Sequence, residues 1–216
     1  MDATFTMGGI VYRSMVCTEH MGTVVSLARS TDLDAPRLGG LDYRHSSNLP
    51  LSRATWLEHQ VRGSDRWAVS MDSDTWCDAE QLQQEIALVR GGIAIGIVPV
   101  VIGGTDKLNV LSPMIGAEIG FGNRFSVDGI NAALRSQLPV ELTAGGFGVA
   151  VFNLNWFRVH WSAPSPERAA IDSGYGEDIE MCLAVRRRGG RVIALPVNSW
   201  HKDLVMGGVK EFRAEP

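Results

Sequence analysis

Two aspartates, Asp72 and Asp74, stand two residues apart directly after the apolar run Trp67 to Met71. Open α/β sheets bind ligands beyond the carboxyl ends of their strands. Two carboxylates at that spacing suit one hard divalent cation shared with phosphate oxygens. The same Asp-Ser-Asp also reads as an Asx-type turn whose side chains serve only local backbone groups. His201, following the last apolar run, and Glu177-Asp178, opening a helix, complete the polar set at element ends. Carboxylates with one imidazole point to Mg²⁺ or, given the nitrogen ligand, Mn²⁺. Zinc has less support, because neither a thiolate cluster nor a close histidine pair is present. Each group has a plain alternative: a surface histidine for His201, a helix cap for Glu177-Asp178. Arg186 to Arg188 reads as a phosphate patch or as charge complementing a helix C-terminus, and the second reading already accounts for it. The glycine pairs lack the spacing of Walker and dinucleotide loops, and no serine or cysteine stands in a nucleophile elbow.

The elements that must position these groups alternate between strand and helix. A loose lead-in at residues 1–7, a strand from Ile10 to Cys17 and a helix whose apolar part is Thr23 to Ala28 open the chain. Cys17-Thr18-Glu19-His20-Met21-Gly22 falls at their junction, either a plain loop or a nucleotide-facing segment. Pro50 suits the start of a helix that carries Arg53 and ends at Gly63. Arg53 lies on a different side from Leu57 and Val61, either solvated or aimed at the ligand edge. After the central strand 67–71, Asp78 caps a helix to Arg90, and Ile93 to Ile102 forms another interior strand. Residues 105–127 read as long loops with one short strand near Phe125 to Val127. A small helix at 130–138 and a strand broken around Gly145-Gly146 follow. A loop from Pro164 reaches Gly176, and Glu177 to Arg188 is the clearest helix. A final strand occupies Val192 to Val197, and the tail from Lys202 has no clear element. This order predicts an α/β protein with a mainly parallel sheet and room for an antiparallel edge.

The 216 residues, 45% hydrophobic and 20% charged, are enough for one domain with a sizeable core. A net charge of -4 disfavours general nucleic-acid binding. Three distant cysteines, Cys17, Cys77 and Cys182, read as reduced thiols of a cytoplasmic protein. The longest apolar stretch is too short to span a bilayer.

Three blocks in order resemble a known pattern: Ser52-Arg53-Ala54, Met71-Asp72-Ser73-Asp74, and Gly176-Glu177-Asp178-Ile179-Glu180-Met181-Cys182 followed by Gly190 and His201. GGFGVAVFNLNWF, Gly145 to Phe157, is similar to the segment before an acceptor loop. The chain thus resembles the nucleotide-sugar-dependent glycosyltransferases of the GT-A fold, particularly small bacterial and phage-type members of family 2. The resemblance implies a Rossmann-like three-layer α/β/α domain over residues 1–203, with 204–216 as a tail. It implies a DxD motif binding Mn²⁺ (or Mg²⁺) through Asp72, Asp74 and His201. Cys17, Thr18, Glu19, Arg53, Asp72 and Gly146 would face the donor, most commonly a UDP-sugar. Asp178 would be the base of an inverting transfer, and Glu177 would orient the acceptor. The acceptor stays open between a glycan, a small molecule and a hydroxylated DNA base, and a homodimer is one arrangement that would complete its site. A nucleotidyltransferase acting on a sugar phosphate and a non-catalytic nucleotide-sugar-binding protein are the alternative functions.

Overall fold

The computed structural model describes residues 3–11, 16–32, 34–45, 49–102, 107–113, 124–136, 139–161, 176–202 and 208–216. Its strands are β1 (Thr4–Val11), β2 (Arg37–His45), β3 (Trp67–Met71), β4 (Thr75–Cys77), β5 (Ile93–Ile97), β6 (Lys107–Leu111), β7 (Arg124–Ser126), β8 (Val140–Glu141), β9 (Ala144–Gly145), β10 (Val149–Asn153), β11 (Arg191–Ala194), β12 (Ser199–Lys202) and β13 (Val209–Phe212). Its helices are α1 (Thr18–Arg29), α2 (Leu49–Arg62), α3 (Ala79–Glu85), α4 (Val127–Ser136), α5 (Leu154–His160) and α6 (Glu177–Arg187).

Seven strands form a central sheet in the order β2-β1-β3-β10-β5-β11-β8. The β2/β1, β1/β3 and β5/β11 pairs are parallel. The β3/β10, β10/β5 and β11/β8 pairs are antiparallel. The sheet is therefore mixed and partly parallel: β2, β1, β3, β5 and β11 run one way, β8 is the antiparallel edge that the strand–helix alternation leaves room for, and β10 is an antiparallel strand inside the sheet that it does not predict. β10 runs straight into α5 and inserts antiparallel between two strands that each came from a crossover.

Side-chain alternation along the central strands divides the core between two faces. Trp67, Val69 and Met71 of β3 and Val149 and Val151 of β10 join Val24 and Leu27 of α1 and Leu82 of α3. Ala68, Ala150 and Phe152 point to the other side, against Trp56 and Leu57 of α2, Phe157 of α5 and Met181 and Val185 of α6. All five residues of β3 are buried, so its sequence shows an unbroken apolar run apart from Ser70.

Local chemistry sets the helix ends. Asp78 accepts from Gln81 N at 3.0 Å and starts α3. Asn153 caps α5 through Trp156 N at 3.2 Å. Gly189 ends α6 at φ +80°, with Gly189 N and Gly190 N returning to Arg186 O and Val185 O. Three acidic residues in the first turn of α6 and two arginines in its last complement its dipole.

Several expectations change. Residues 4–7 of the presumed lead-in belong to β1, because Thr4 pairs with β2 and residues 5–8 pair with both β2 and β3. α1 starts at Thr18, so Cys17 caps it instead of ending a strand. The stretch 105–127 contains β6 and β7, and the tail contains β13, which pairs with β12. Asn131 Nδ2 donates to Arg213 O at 3.0 Å, and Phe212 is 1% exposed, so this tail strand packs into the body. The loop expected from Pro164 lies, up to residue 175, outside the described residues. Among the described residues, no helix is long and apolar enough to cross a membrane.

Candidate functional site

The turn Asp72-Ser73-Asp74 leaves the end of β3 and re-enters the small sheet β13-β12-β4. Five neighbouring groups hold its backbone. Asp72 N donates to Gly148 O at 2.8 Å, Thr75 N to Asp72 O at 3.0 Å and Cys17 N to Ser73 O at 2.9 Å. Lys202 N donates to Asp74 O at 2.9 Å. His20 Nδ1 lies 3.0 Å from both Asp72 O and Thr75 O, and its Nε2 lies 2.8 Å from the Tyr43 hydroxyl. Two carbonyl acceptors require a proton on Nδ1, so Nε2 accepts from Tyr43. Burial pushes the His20 pKa down, against those hydrogen bonds and the Asp74 charge, which favours this neutral form.

Beneath the turn lies Arg53 of α2, 1% exposed. Its Nη2 donates to Asp72 Oδ1 at 2.7 Å, and its Nη1 donates to Glu177 Oε1 at 2.8 Å and to Asp178 Oδ1. Asp178 Oδ2 accepts from Phe147 N at 3.0 Å. One guanidinium thus serves three carboxylates from two distant elements, and the Arg53 side chain passes within 5.7 Å of the Phe147 ring centroid. Burial acts to lower the Arg53 pKa. The Asp178, Asp72 and Glu177 charges overcome it and raise its pKa, so the cation is retained. Three full negative charges would over-neutralise it. Asp72 is pushed up to about 7, by burial first, with Arg53 opposing and Asp178, Asp74 and Glu177 adding to the rise. About a third of the Asp72 side chain still reaches solvent, so a proton can enter and leave there. Glu177 is also raised, by burial and then by Asp178.

These groups border a cleft of about 290 Å³ whose lining includes Asp72, Asp74, Asn109, Gly146, Asp178 and His201. Asn109 fastens two of its walls: Oδ1 accepts from Val100 N and Nδ2 donates to Gly146 O, both at 2.8 Å. His201 lies in β12, opposite Thr75 of β4, and not at the end of a central strand. Its Nε2 is 3.6 Å from Asp74 Oδ2. Burial would raise Asp74, but the His201 contact and the local hydrogen bonds hold its carboxyl below the usual range.

The structure brings Asp72, Asp74, Gly146, Asp178 and His201 to one cleft. Arg53 and Glu177 stand behind the wall, touching the carboxylates that face it. Cys17 sits behind the Asp72–Asp74 turn as the cap of α1, and Thr18 and Glu19 are exposed in its first turn. His20, which the sequence places only in a segment that is either plain loop or nucleotide-facing, holds the Asp72–Thr75 turn, and Asn109 and the Phe147 N–H join the site without being expected there. An asparagine inside the apolar strand 107–111 was the available signal for one of them. Backbone donors such as Phe147 N leave no mark in a sequence.

The metal expectation is overturned. Among the described residues, no group of three or more His, Cys, Asp or Glu side chains is arranged to hold a metal ion. Asp72 and Asp178 turn oxygens to the Arg53 guanidinium, and Asp74 turns to His201, so the carboxylates do not converge on a shared point. Asp72, Asp74 and His201 therefore do not form the Mn²⁺ or Mg²⁺ site that a DxD motif implies. No family model and no curated protein matches the chain. The specific description as a manganese-binding, UDP-specific DxD transferase loses its support with them.

Among solved structures, A197 from STIV aligns with a TM-score of 0.55 at 12% identity, over 94% of this chain and 86% of that one. That likeness establishes a shared mixed α/β fold with a multi-stranded, partly parallel sheet. A fragment of S. aureus TarS, solved in complex with UDP, aligns at 0.45 and 12% identity over 89% of this chain and 57% of that one. CMP:2-keto-3-deoxy-manno-octonic acid synthetase, solved with CTP, aligns at 0.45 and 8% identity over 90% and 89%.

Proposed function

We propose that this chain transfers a sugar from a nucleoside-diphosphate sugar to an acceptor hydroxyl, within a GT-A-like domain formed by residues 1–203. The observation that carries the reading is the single guanidinium of Arg53 joining Asp72 to Glu177 and Asp178 at the wall of one cleft. Structural ion pairs need no cleft. Here Asp178 has its oxygens held by Arg53 and by Phe147 N and still lines the opening. A carboxylate fixed in orientation but accessible suits a general base.

In this reading Asp178 takes the acceptor's proton. The acceptor oxygen bonds to the anomeric carbon as that carbon's bond to phosphate breaks, and the nucleoside diphosphate leaves. Attack opposite the leaving group inverts the anomeric centre. Arg53 fixes the direction of the Asp178 carboxylate, and positioning counts when proton transfer accompanies bond breaking. The acceptor remains a glycan, a small molecule or a hydroxylated base.

The test incubates the protein with UDP-, GDP- and dTDP-sugars and simple hydroxyl acceptors, following product by NMR and mass spectrometry. Nucleoside diphosphate with an inverted glycoside supports the proposal. Pyrophosphate release from sugar phosphate and nucleoside triphosphate would identify a nucleotidyltransferase instead. Saturable binding without turnover would leave a nucleotide-sugar-binding protein.

A further inference from the structure

The small sheet has two faces, and only one belongs to the cleft. Successive residues of a strand point to opposite sides. Thr75 and His201 line the cleft, so Trp76 and Trp200 face away from it. These two tryptophans are direct cross-strand partners. Their rings lie nearly parallel, with centroids 6.5 Å apart and planes 10° from one another. Both stay half-exposed, unlike the aromatic pairs around Phe152, which meet edge to face inside the core.

Register places Glu211 opposite Trp200, and Val209 opposite Lys202, on this same outer face. Glu211 Oε1 accepts from Trp200 Nε1 at 3.0 Å and from Arg213 Nη2 at 2.9 Å. The indole is thereby held in place before any ligand arrives, which lowers the ordering cost of binding. Val209, 52% exposed, extends the apolar surface.

We propose that this face is a stacking platform for a neutral oligosaccharide. A pyranose presents one face of C–H groups, which packs on an aromatic ring, and a rim of hydroxyls, which both donate and accept. Two parallel indoles beside a carboxylate–guanidinium pair match that mixture. Single-stranded nucleic acid also stacks on aromatics, but it needs a positively charged groove. Here Lys202 and Arg213 are offset in part by Glu211 on the edge strand β13, which pairs with Arg213, and the whole chain carries -4. The same two strands carry cleft residues on one side and the platform on the other. Resting on the transfer reading, the platform anchors the distal part of an acceptor glycan that reaches round the sheet to Asp178.

The experiment titrates maltohexaose, cellohexaose and chitohexaose, without donor, into the wild type, Trp200→Ala, Trp76→Ala and Trp200→Phe. Binding is read by tryptophan fluorescence and saturation-transfer NMR, and folding by thermal melts. At least one oligosaccharide should bind saturably. The alanine variants should weaken it by about tenfold or more, the scale of losing one stacked ring, while Trp200→Phe retains most of the affinity. If an alanine variant fails to fold, Val209→Glu at its exposed position should weaken binding without touching the core. Equal affinity in the folded variants, or no saturable sugar binding by the wild type, overturns the platform. A preference for a single-stranded oligonucleotide that is lost in Trp200→Ala overturns it in favour of nucleic acid. Because this titration contains no donor, its result is independent of turnover: saturable sugar binding here together with no transfer in the nucleotide-sugar assay would remove only the transfer reading. Transfer to a long glycan that ignores both tryptophans would remove only the platform.

Discussion

Arg53 donates to Asp72 at 2.7 Å across 19 residues of sequence, and the same guanidinium reaches Asp178 across 125. The pair fixes the end of β3 to the start of α6, so both sides of the cleft share one buried cation. Removing either partner changes the charge balance of the whole group, which is how the arrangement is best tested.

Arg53→Met keeps much of the side-chain volume and removes the charge. Asp72, Glu177 and Asp178 then face one another uncompensated, and stability should fall by roughly 3–5 kcal/mol at neutral pH. The carboxylates of the variant will hold protons to higher pH when folded than when unfolded. A carboxylate raised in this way stabilises the fold below its unfolded pKa and loses that contribution as pH rises through the folded value. Urea denaturation should therefore show the deficit shrinking from pH 7.5 to pH 5. A deficit independent of pH would mean that packing, not charge, gives Arg53 its importance.

His20 predicts the opposite slope. Its pKa is depressed in the folded state, chiefly by burial, so the unfolded chain binds a proton that the folded one refuses. Its contribution is present above the ordinary histidine pKa of about 6.5 and is lost as pH falls through and below that value. Asp72, raised to about 7, acts in the reverse sense over part of the same window, so the wild-type curve alone is ambiguous. The difference between wild type and His20→Gln isolates the term. That difference should narrow on acidification from pH 7.5 to pH 5.5. A constant difference would show that His20 titrates alike in both states.

Asp178→Asn separates chemistry from architecture. The amide must turn its NH₂ toward either Arg53 or Phe147 N, both donors, so a loss of about 1–3 kcal/mol is expected from the mismatch. Nucleotide-sugar affinity should change little. Transfer should fall by roughly 10²–10⁴-fold, the scale of a lost general base. Single-turnover kinetics with calorimetric binding checks both. Near-normal transfer would remove Asp178 from the role of base.

Two glycines should respond in opposite directions to alanine. A Cβ on Gly8 of β1 would lie 2.1 Å from Asp42 O and 2.9 Å from Trp56 Nε1. Neither β2 nor α2 can withdraw cheaply, so Gly8→Ala should cost about 1–3 kcal/mol or more. Gly22, inside α1, has nothing within 4 Å of its would-be Cβ. Gly22→Ala should stabilise by roughly 0.5–1 kcal/mol, since alanine has less backbone freedom to lose. Paired thermal melts decide the matter, and a stable Gly8→Ala protein would contradict the tight β1–β2–α2 contact.

By itself the sequence determined the local events. The apolar run 67–71 specified a buried strand, Asp78 specified a helix start, and the charge gradient from Glu177 to Arg187 specified α6. Such signals act within a few residues, through burial, capping and the helix dipole, and so they can be read along the chain. The tertiary structure alone decided strand order and the use of each charge. β10 inserts antiparallel between β3 and β5 because its two ladders are made with strands far away in sequence. β13 is a strand because β12 supplies its hydrogen bonds, whereas its own residues carry little apolar pattern. The aspartates show the same division. Their spacing suggests a cation between them, and the fold does bring a cation, but it is Arg53, delivered from α2 by packing that no spacing rule encodes. Long-range contacts decide where a carboxylate points, and that direction separates an ion pair from a metal ligand.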